Sequence, residues 1–98
     1  MAIQRIILDV AMLDGREHLG IVVTTADRMR LAHTARQRKW GDMQTDADRS
    51  ITFLAWSVLE RRGDFTGTFE DFVAQSETVS APDKVDEVDP TQTATPAV

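Results

Sequence analysis

The chain has 98 residues, a net charge of −5 and no cysteine, which favours one small domain and excludes disulfides and thiolate metal sites. It holds no run of about 20 apolar residues and no signal peptide, so we expect a soluble, intracellular protein without a membrane partner. A domain of this size is not expected to enclose the cleft that complex catalysis needs.

Residues 3 to 24 predict a β-hairpin. If Asp14-Gly15 is a two-residue turn, the numbers of cross-strand partners sum to 29. One side of the ribbon then holds six apolar side chains, paired as Val10 with Leu19, Leu8 with Ile21 and Ile6 with Val23. Two strands alone are marginal in water, so this side is expected to lie on helices, while the ribbon keeps two open edges.

The first predicted helix covers residues 25 to 39 and is strongly basic. Thr24 and Asp27 form a capping pair at its start, and Gly41 is available for a left-handed cap after Trp40. Its narrow apolar face consists of Leu31, Ala32 and Ala35. Its basic residues are Arg28, Arg30, Arg36, Arg38 and Lys39.

The second predicted helix begins at the N-cap Asp46 and ends at Arg62, before Gly63. Its main apolar stripe contains Ala47, Ile51, Leu54, Ala55 and Val58, with Leu59 at the margin. Phe53 and Trp56 project roughly opposite that stripe, where a surface helix normally carries charge. Either the rest of the domain covers these two aromatic rings or a partner does.

A third, short helix is predicted after Thr68, with Asp71 as its capping partner and Phe69, Phe72 and Val73 on one face. From Ser80 onward, three prolines and four acids leave little to bury, which predicts disorder. The predicted fold is therefore α+β: a hairpin followed by a small bundle of three helices in a domain of residues 1–79, with a disordered acidic tail at 80–98.

Charge is distributed unevenly between the two parts of the chain. Residues 1–63 hold ten Lys/Arg against eight Asp/Glu, a net of +2, whereas residues 64–98 hold one lysine against eight acids, a net of −7. The acidic tail either folds over the basic part, in the same chain or on a neighbouring copy, or keeps the domain soluble.

The sequence offers no constellation of catalytic or metal-binding residues. His18 and His33 are the only histidines, and neither has an acid pair at ligand spacing. Asp42, Asp46 and Asp48 lack the central glycine and the glutamate of a calcium loop. We therefore predict no enzyme activity, no metal and no cofactor.

Four segments carry a resemblance to a known family: Lys39-Trp40-Gly41, Thr52 to Trp56, Leu59 to Gly63, and Phe69-Glu70-Asp71-Phe72. Their order resembles that in the tail assembly chaperones of long-tailed bacteriophages, notably phages of actinobacteria, over residues 27 to 90. The resemblance implies a protein of the host cell cytoplasm, not part of the mature virion. It would bind the tape measure protein, keep it soluble, and help tail tube subunits polymerise around it.

The same resemblance implies contacts with the tail tube protein and between copies of the chain. It also implies a frameshifted longer product of which this chain would be the short form. The candidate residues for partner binding are Phe53, Trp56, Trp40, Phe69 and Phe72. The candidate electrostatic contacts are Arg28, Arg36, Arg38 and Lys39.

A small nucleic-acid-binding regulator is the alternative function. The basic segment 28–39 followed by Trp40 could place cations along phosphates with an aromatic ring nearby. The sequence pI of about 4.8 and the acidic tail argue against it.

Overall fold

The structure, a computed structural model, describes residues 5–41 and 44–81. It is α+β, as predicted, with three helices and three strands. In chain order these are β1 (Ile7–Met12), β2 (Glu17–Val22), α1 (Thr25–Arg38), α2 (Ala47–Arg62), α3 (Phe69–Gln75) and β3 (Ser76–Ser80). None of the described helices has the length and apolar character that a bilayer crossing requires.

The strands form one antiparallel sheet in the order β2-β1-β3. The prediction of a two-stranded ribbon with two open edges is therefore wrong, because β3 pairs along one edge of β1 and makes it the central strand. Ser80, predicted to begin the tail, is the last residue of β3. From residue 82 onward, the predicted disordered tail lies outside the described residues.

The hairpin register agrees with the prediction at one end only. Leu8 lies opposite Ile21 as expected, but beyond Asp9 the pairing shifts and Val10 lies opposite His18. The extra residue in β2 is accommodated by Gly20, whose φ of 65° belongs to the left-handed region and whose N–H donates to Asp9 Oδ1 at 2.8 Å. Leu19 is consequently 67% exposed instead of buried against Val10.

The turn also differs from the predicted two-residue form. Met12 N donates to Arg16 O at 2.8 Å, which leaves a three-residue loop from Leu13 to Gly15. Gly15 N donates to Met12 O at 3.0 Å, and Gly15 has a φ of 95°. This is a turn followed by a left-handed residue, the usual geometry for a loop of this length.

The helix starts follow the capping signals in the sequence. Reciprocal capping boxes join Thr24 to Asp27 and Thr68 to Asp71, and Gly63 ends α2 in a left-handed conformation. The predicted left-handed cap at Gly41 is wrong, because Lys39 takes that conformation with a φ of 59°. Gly41 instead permits a close approach, since a Cβ there would stand 2.5 Å from Thr45 Oγ1.

The core lies between one face of the sheet and α2. Phe53 through Leu59 are all buried, so this helix is covered all round, unlike a surface helix with one apolar stripe. At the other end of the predicted stripe, Ala47 is exposed and Ile51 is only partly buried. The remaining core side chains are Leu8, Val10, Met12, Ile21, Val23, Leu31, Phe65, Phe69 and Phe72.

Candidate protein-binding site

The aromatic residues form a cluster inside the fold and leave no exposed aromatic face on α2. Ring centroids of Phe53, Trp56, Phe69 and Trp40 lie 5.2 to 6.1 Å from their neighbours in the cluster. Phe53 is 2% exposed, Trp56 and Phe69 are each 8% exposed, and Phe72 is fully buried. Of the two alternatives that the sequence left open, the first holds: the rest of the domain covers Phe53 and Trp56, and the hypothesis that they form an exposed partner-binding patch is wrong.

The physical reason is that α1 and α3 both pack against the side of α2 that carries Phe53 and Trp56. The Arg30 guanidinium lies 4.3 Å from the centre of the Trp56 ring, and Trp56 Nε1 donates to the Gly67 carbonyl at 3.1 Å. Phe69 of α3 covers Phe53, with its ring centroid 5.3 Å from that of Phe53. These contacts satisfy the indole N–H and cover both rings, so neither ring offers surface to a partner in this conformation.

Trp40 is the one member of the cluster that is only partly buried. Arg38 and Arg49 flank its ring at 5.5 and 5.1 Å from the centroid. Its ring also packs against the rings of Phe53 and Phe69. Trp40 therefore joins the core to the surface at the end of α1.

The surface it reaches is an open groove along α1, which we call the α1 groove. Its apolar lining includes Met29, Ala32, Ala35 and Trp40, and its volume is about 640 Å³. Arg28 and Arg36 also line it. The helical residues recur at three- and four-residue spacing, so they occupy one face of α1. Met29 is 68% exposed, which is unusual for so large an apolar side chain.

The cations of α1 divide into two sets. Arg30 pairs with Glu60 of α2, and Arg38 pairs with Glu70 of α3, so both guanidinium groups are engaged by neighbouring helices. Within residues 5–41 and 44–81, Arg28, Arg36 and Lys39 form no ion pair. Of the four predicted electrostatic contacts, Arg28 and Arg36 line the α1 groove, Arg38 is engaged within the fold, and Lys39 caps the helix.

A buried carboxylate holds α1 in place against α2. Asp27 is 1% exposed and accepts hydrogen bonds from Thr24 Oγ1 at 2.8 Å, Ser57 Oγ at 2.7 Å and Arg61 Nη2 at 2.9 Å. Burial by itself would raise the pKa of Asp27, but hydrogen bonds from Arg61, Thr24 and Ser57 outweigh it and lower the pKa to about 2.

Sequence reasoning assigned Asp27 only to the helix cap and missed Ser57 and Arg61. The available signal was that Ser57 and Arg61 lie four apart on one side of α2, and that Ser57 interrupts the otherwise apolar stretch 53–59. A serine and an arginine at that spacing can meet one carboxylate on a neighbouring helix. The spacing alone does not say which carboxylate they meet.

Comparison of the chain with protein-family models, curated proteins and solved structures found no match. The resemblance to tail assembly chaperones therefore depends on the order of residues in the chain. Among the described residues, no three histidine, aspartate or glutamate side chains converge in a way that could hold a metal ion.

Proposed function

We propose that this chain is a non-catalytic tail assembly chaperone of the host cell cytoplasm, and that its α1 groove binds the tape measure protein. The observation that carries the proposal is an apolar helix face left uncovered beside two arginines without ion-pair partners in the described chain. The aromatic segments that suggested the family would then form the core against which α1 packs, while α1 contacts the tape measure protein.

The shape and chemistry of the groove favour a helical partner. Amphipathic helices bind apolar grooves through side chains at i, i+3, i+4 and i+7, which is the spacing at which the α1 residues recur. Arg28 and Arg36 would attract acidic residues at the margins of such a helix. A groove this small gives one copy modest affinity, so retention of a long polymer would depend on many copies bound along it.

Contacts with the tail tube protein and between copies would use other surfaces. β2 is an edge strand of the sheet, with Leu19 and Val22 exposed. Exposed strand edges pair readily with another chain. As part of the same proposal, the edge of β2 would pair with a second copy of the chain or with the tail tube protein.

Substitution of the groove floor tests the proposal. Met29→Glu/Ala32→Glu alters two exposed side chains, so the variant should fold but fail to keep the co-expressed tape measure protein in the soluble fraction. We expect a very long gene immediately downstream, and its product is the tape measure protein to use. Leu13→Glu/Val73→Glu is the matched control, because it also puts two charges at exposed apolar positions, away from the groove.

Only the groove variant should lose the tape measure protein, and loss by both variants would contradict the assignment to α1. If the wild-type chain leaves the tape measure protein insoluble, the chaperone function itself is wrong. Circular dichroism melts of all three proteins separate loss of binding from loss of fold.

Nucleic-acid binding is the second candidate, because Arg28, Arg36 and Lys39 have no ion-pair partners within the described ranges. Trp40 argues against it, since its partly buried ring already contacts the rings of Phe53 and Phe69 and two guanidinium groups, all of which would compete with a base for the indole. Association with duplex DNA that weakens steeply between about 50 and 200 mM salt would favour this alternative.

A further inference from the structure

We propose that, in the free protein, residues 83–89 of the same chain occupy the α1 groove and are displaced when a partner binds. The proposal goes beyond the chaperone function and does not depend on which partner the groove takes. It assigns an occupant to an apolar surface that the described residues leave open. It also gives the acidic part of the chain a binding role in addition to any effect on solubility.

Charge and apolar pattern match between the groove and this segment. Residues 83–89 read Asp-Lys-Val-Asp-Glu-Val-Asp, four acids against one lysine, with two valines three positions apart. The groove offers Arg28 and Arg36 beside an apolar floor of Met29, Ala32 and Ala35. Carboxylates can therefore meet guanidinium groups while the valines cover the floor.

The topology brings the end of β3, three residues before this segment, near one end of the groove. Ser80 lies opposite Asp9, and Val22 lies opposite Ile7, so β3 and β2 both run toward the same end of β1. Neighbouring strands are about 4.8 Å apart, which puts the two strand ends on the order of 10 Å from each other. α1 begins at Thr25, three residues after β2 ends, and Thr25 lines the groove.

The length of the segment is also sufficient. In the polyproline II conformation, whose three residues per turn put Val85 and Val88 on the same side, seven residues span about 22 Å, whereas α1 rises about 16 Å between Thr25 and Arg36. The segment can thus run along the groove from its Thr25 end towards Trp40. Because it is tethered, its effective concentration at the groove is roughly millimolar, so individually weak contacts can keep it bound.

The absence of cysteine from the chain allows a direct test in the full-length protein. A nitroxide attached to Thr91→Cys lies just beyond the proposed segment. We expect it to broaden the amide signals of Met29, Ala32 and Arg36 and the indole N–H signal of Trp40. Amides of the 13–16 loop, at the opposite end of the sheet, should keep their intensity.

Charge variants supply matched controls. Arg28→Gln/Arg36→Gln should abolish the broadening at the groove, whereas Arg16→Gln/Arg62→Gln, which removes the same charge from exposed sites elsewhere, should leave it unchanged. Asp86→Asn/Glu87→Gln tests the same contact from the other side without altering any described residue. Raising the salt concentration should reduce the broadening.

Three results would overturn the proposal: no broadening in the groove, equal broadening throughout the domain, or broadening that survives both charge variants. A mixture of ¹⁵N-labelled protein with spin-labelled, unlabelled protein distinguishes one chain from two. Groove broadening that is as strong in this mixture would mean that a second copy supplies the segment, which would overturn the same-chain assignment.

Discussion

Asp27 shows how much a single residue contributes to the position of α1. Its carboxylate caps the helix that contains it and also accepts hydrogen bonds from Ser57 and Arg61 of α2. Arg61 supplies the countercharge, and its own pKa is raised by the hydrogen bond to Asp27. A buried charge with this many partners costs little to keep and much to leave unpaired. The α1 groove therefore depends on a residue that does not line it.

Acid should weaken the protein through this residue. The unfolded carboxyl has a pKa near 3.8 and the folded one a pKa of about 2, so ionised Asp27 contributes stability above pH 4 that is lost as the pH falls towards 2. The contribution is roughly 2 kcal/mol. Urea unfolding at pH 6 and at pH 2 measures this loss as a fall in the free energy of unfolding. The fall should be smaller in Asp27→Asn than in the wild type.

Asp14→Asn is the control for that measurement. The pKa of Asp14 is also lowered, chiefly by a hydrogen bond from the backbone of Arg16, but the pair is exposed in the hairpin loop. Exposed pairs contribute little to stability. A pH dependence that survives in Asp27→Asn but disappears in Asp14→Asn would contradict the role given to Asp27.

The elements themselves follow local signals in the sequence closely. Capping boxes at Thr24 and Thr68 and the glycine at 63 were predictable because the residues that make each cap lie within a few positions of one another. β3 was not predicted, because it contains a single large apolar residue, Val79, and forms by pairing with a distant strand. Strand pairing depends on that distant partner, and the short segment lacks a pattern of its own.

The end of α1 gives a prediction at this scale. Lys39 adopts a left-handed conformation that costs a non-glycine residue about 1 kcal/mol. Lys39→Gly should relieve that cost and raise the free energy of unfolding by a similar amount, measured by chemical denaturation. Lys39→Ala removes the same charge but keeps the strain, so it should give no such gain. An equal gain in both variants would attribute the effect to charge.

Across the whole molecule, the aromatic cluster links the end of α1, α2 and α3 into one core. The sequence identified these residues as a group and indicated a second covered surface on α2, but it left open whether the domain or a partner covers Phe53 and Trp56. Periodicity shows which residues share a face of a helix and not what packs against that face. The predicted site therefore retains Trp40, Arg28 and Arg36 in the groove, while Phe53, Trp56, Phe69 and Phe72 belong to the core.

Truncation of the core should affect the whole fold at once. Phe53→Ala removes a ring that contacts Trp40, Trp56 and Phe69, and its cost should be about 3 to 5 kcal/mol. Thermal unfolding followed by far-UV and near-UV circular dichroism should shift to lower temperature in both signals together. A variant with an unchanged melt would mean that Phe53 faces a partner after all. Thr52→Ala, one position away and only partly buried, is the control.

The position of β1 in the middle of the sheet has a consequence for biosynthesis. Asp9 pairs with Ser80, so the central strand leaves the ribosome first among the described elements and receives its second neighbour last. Pairing over such a distance in sequence is slow, because the intervening chain must be ordered first. Until then the nascent chain presents an unpaired strand edge above an unfinished aromatic core. Completion of the domain is thus delayed until translation has passed residue 80, and cellular factors that protect nascent chains have that interval in which to act.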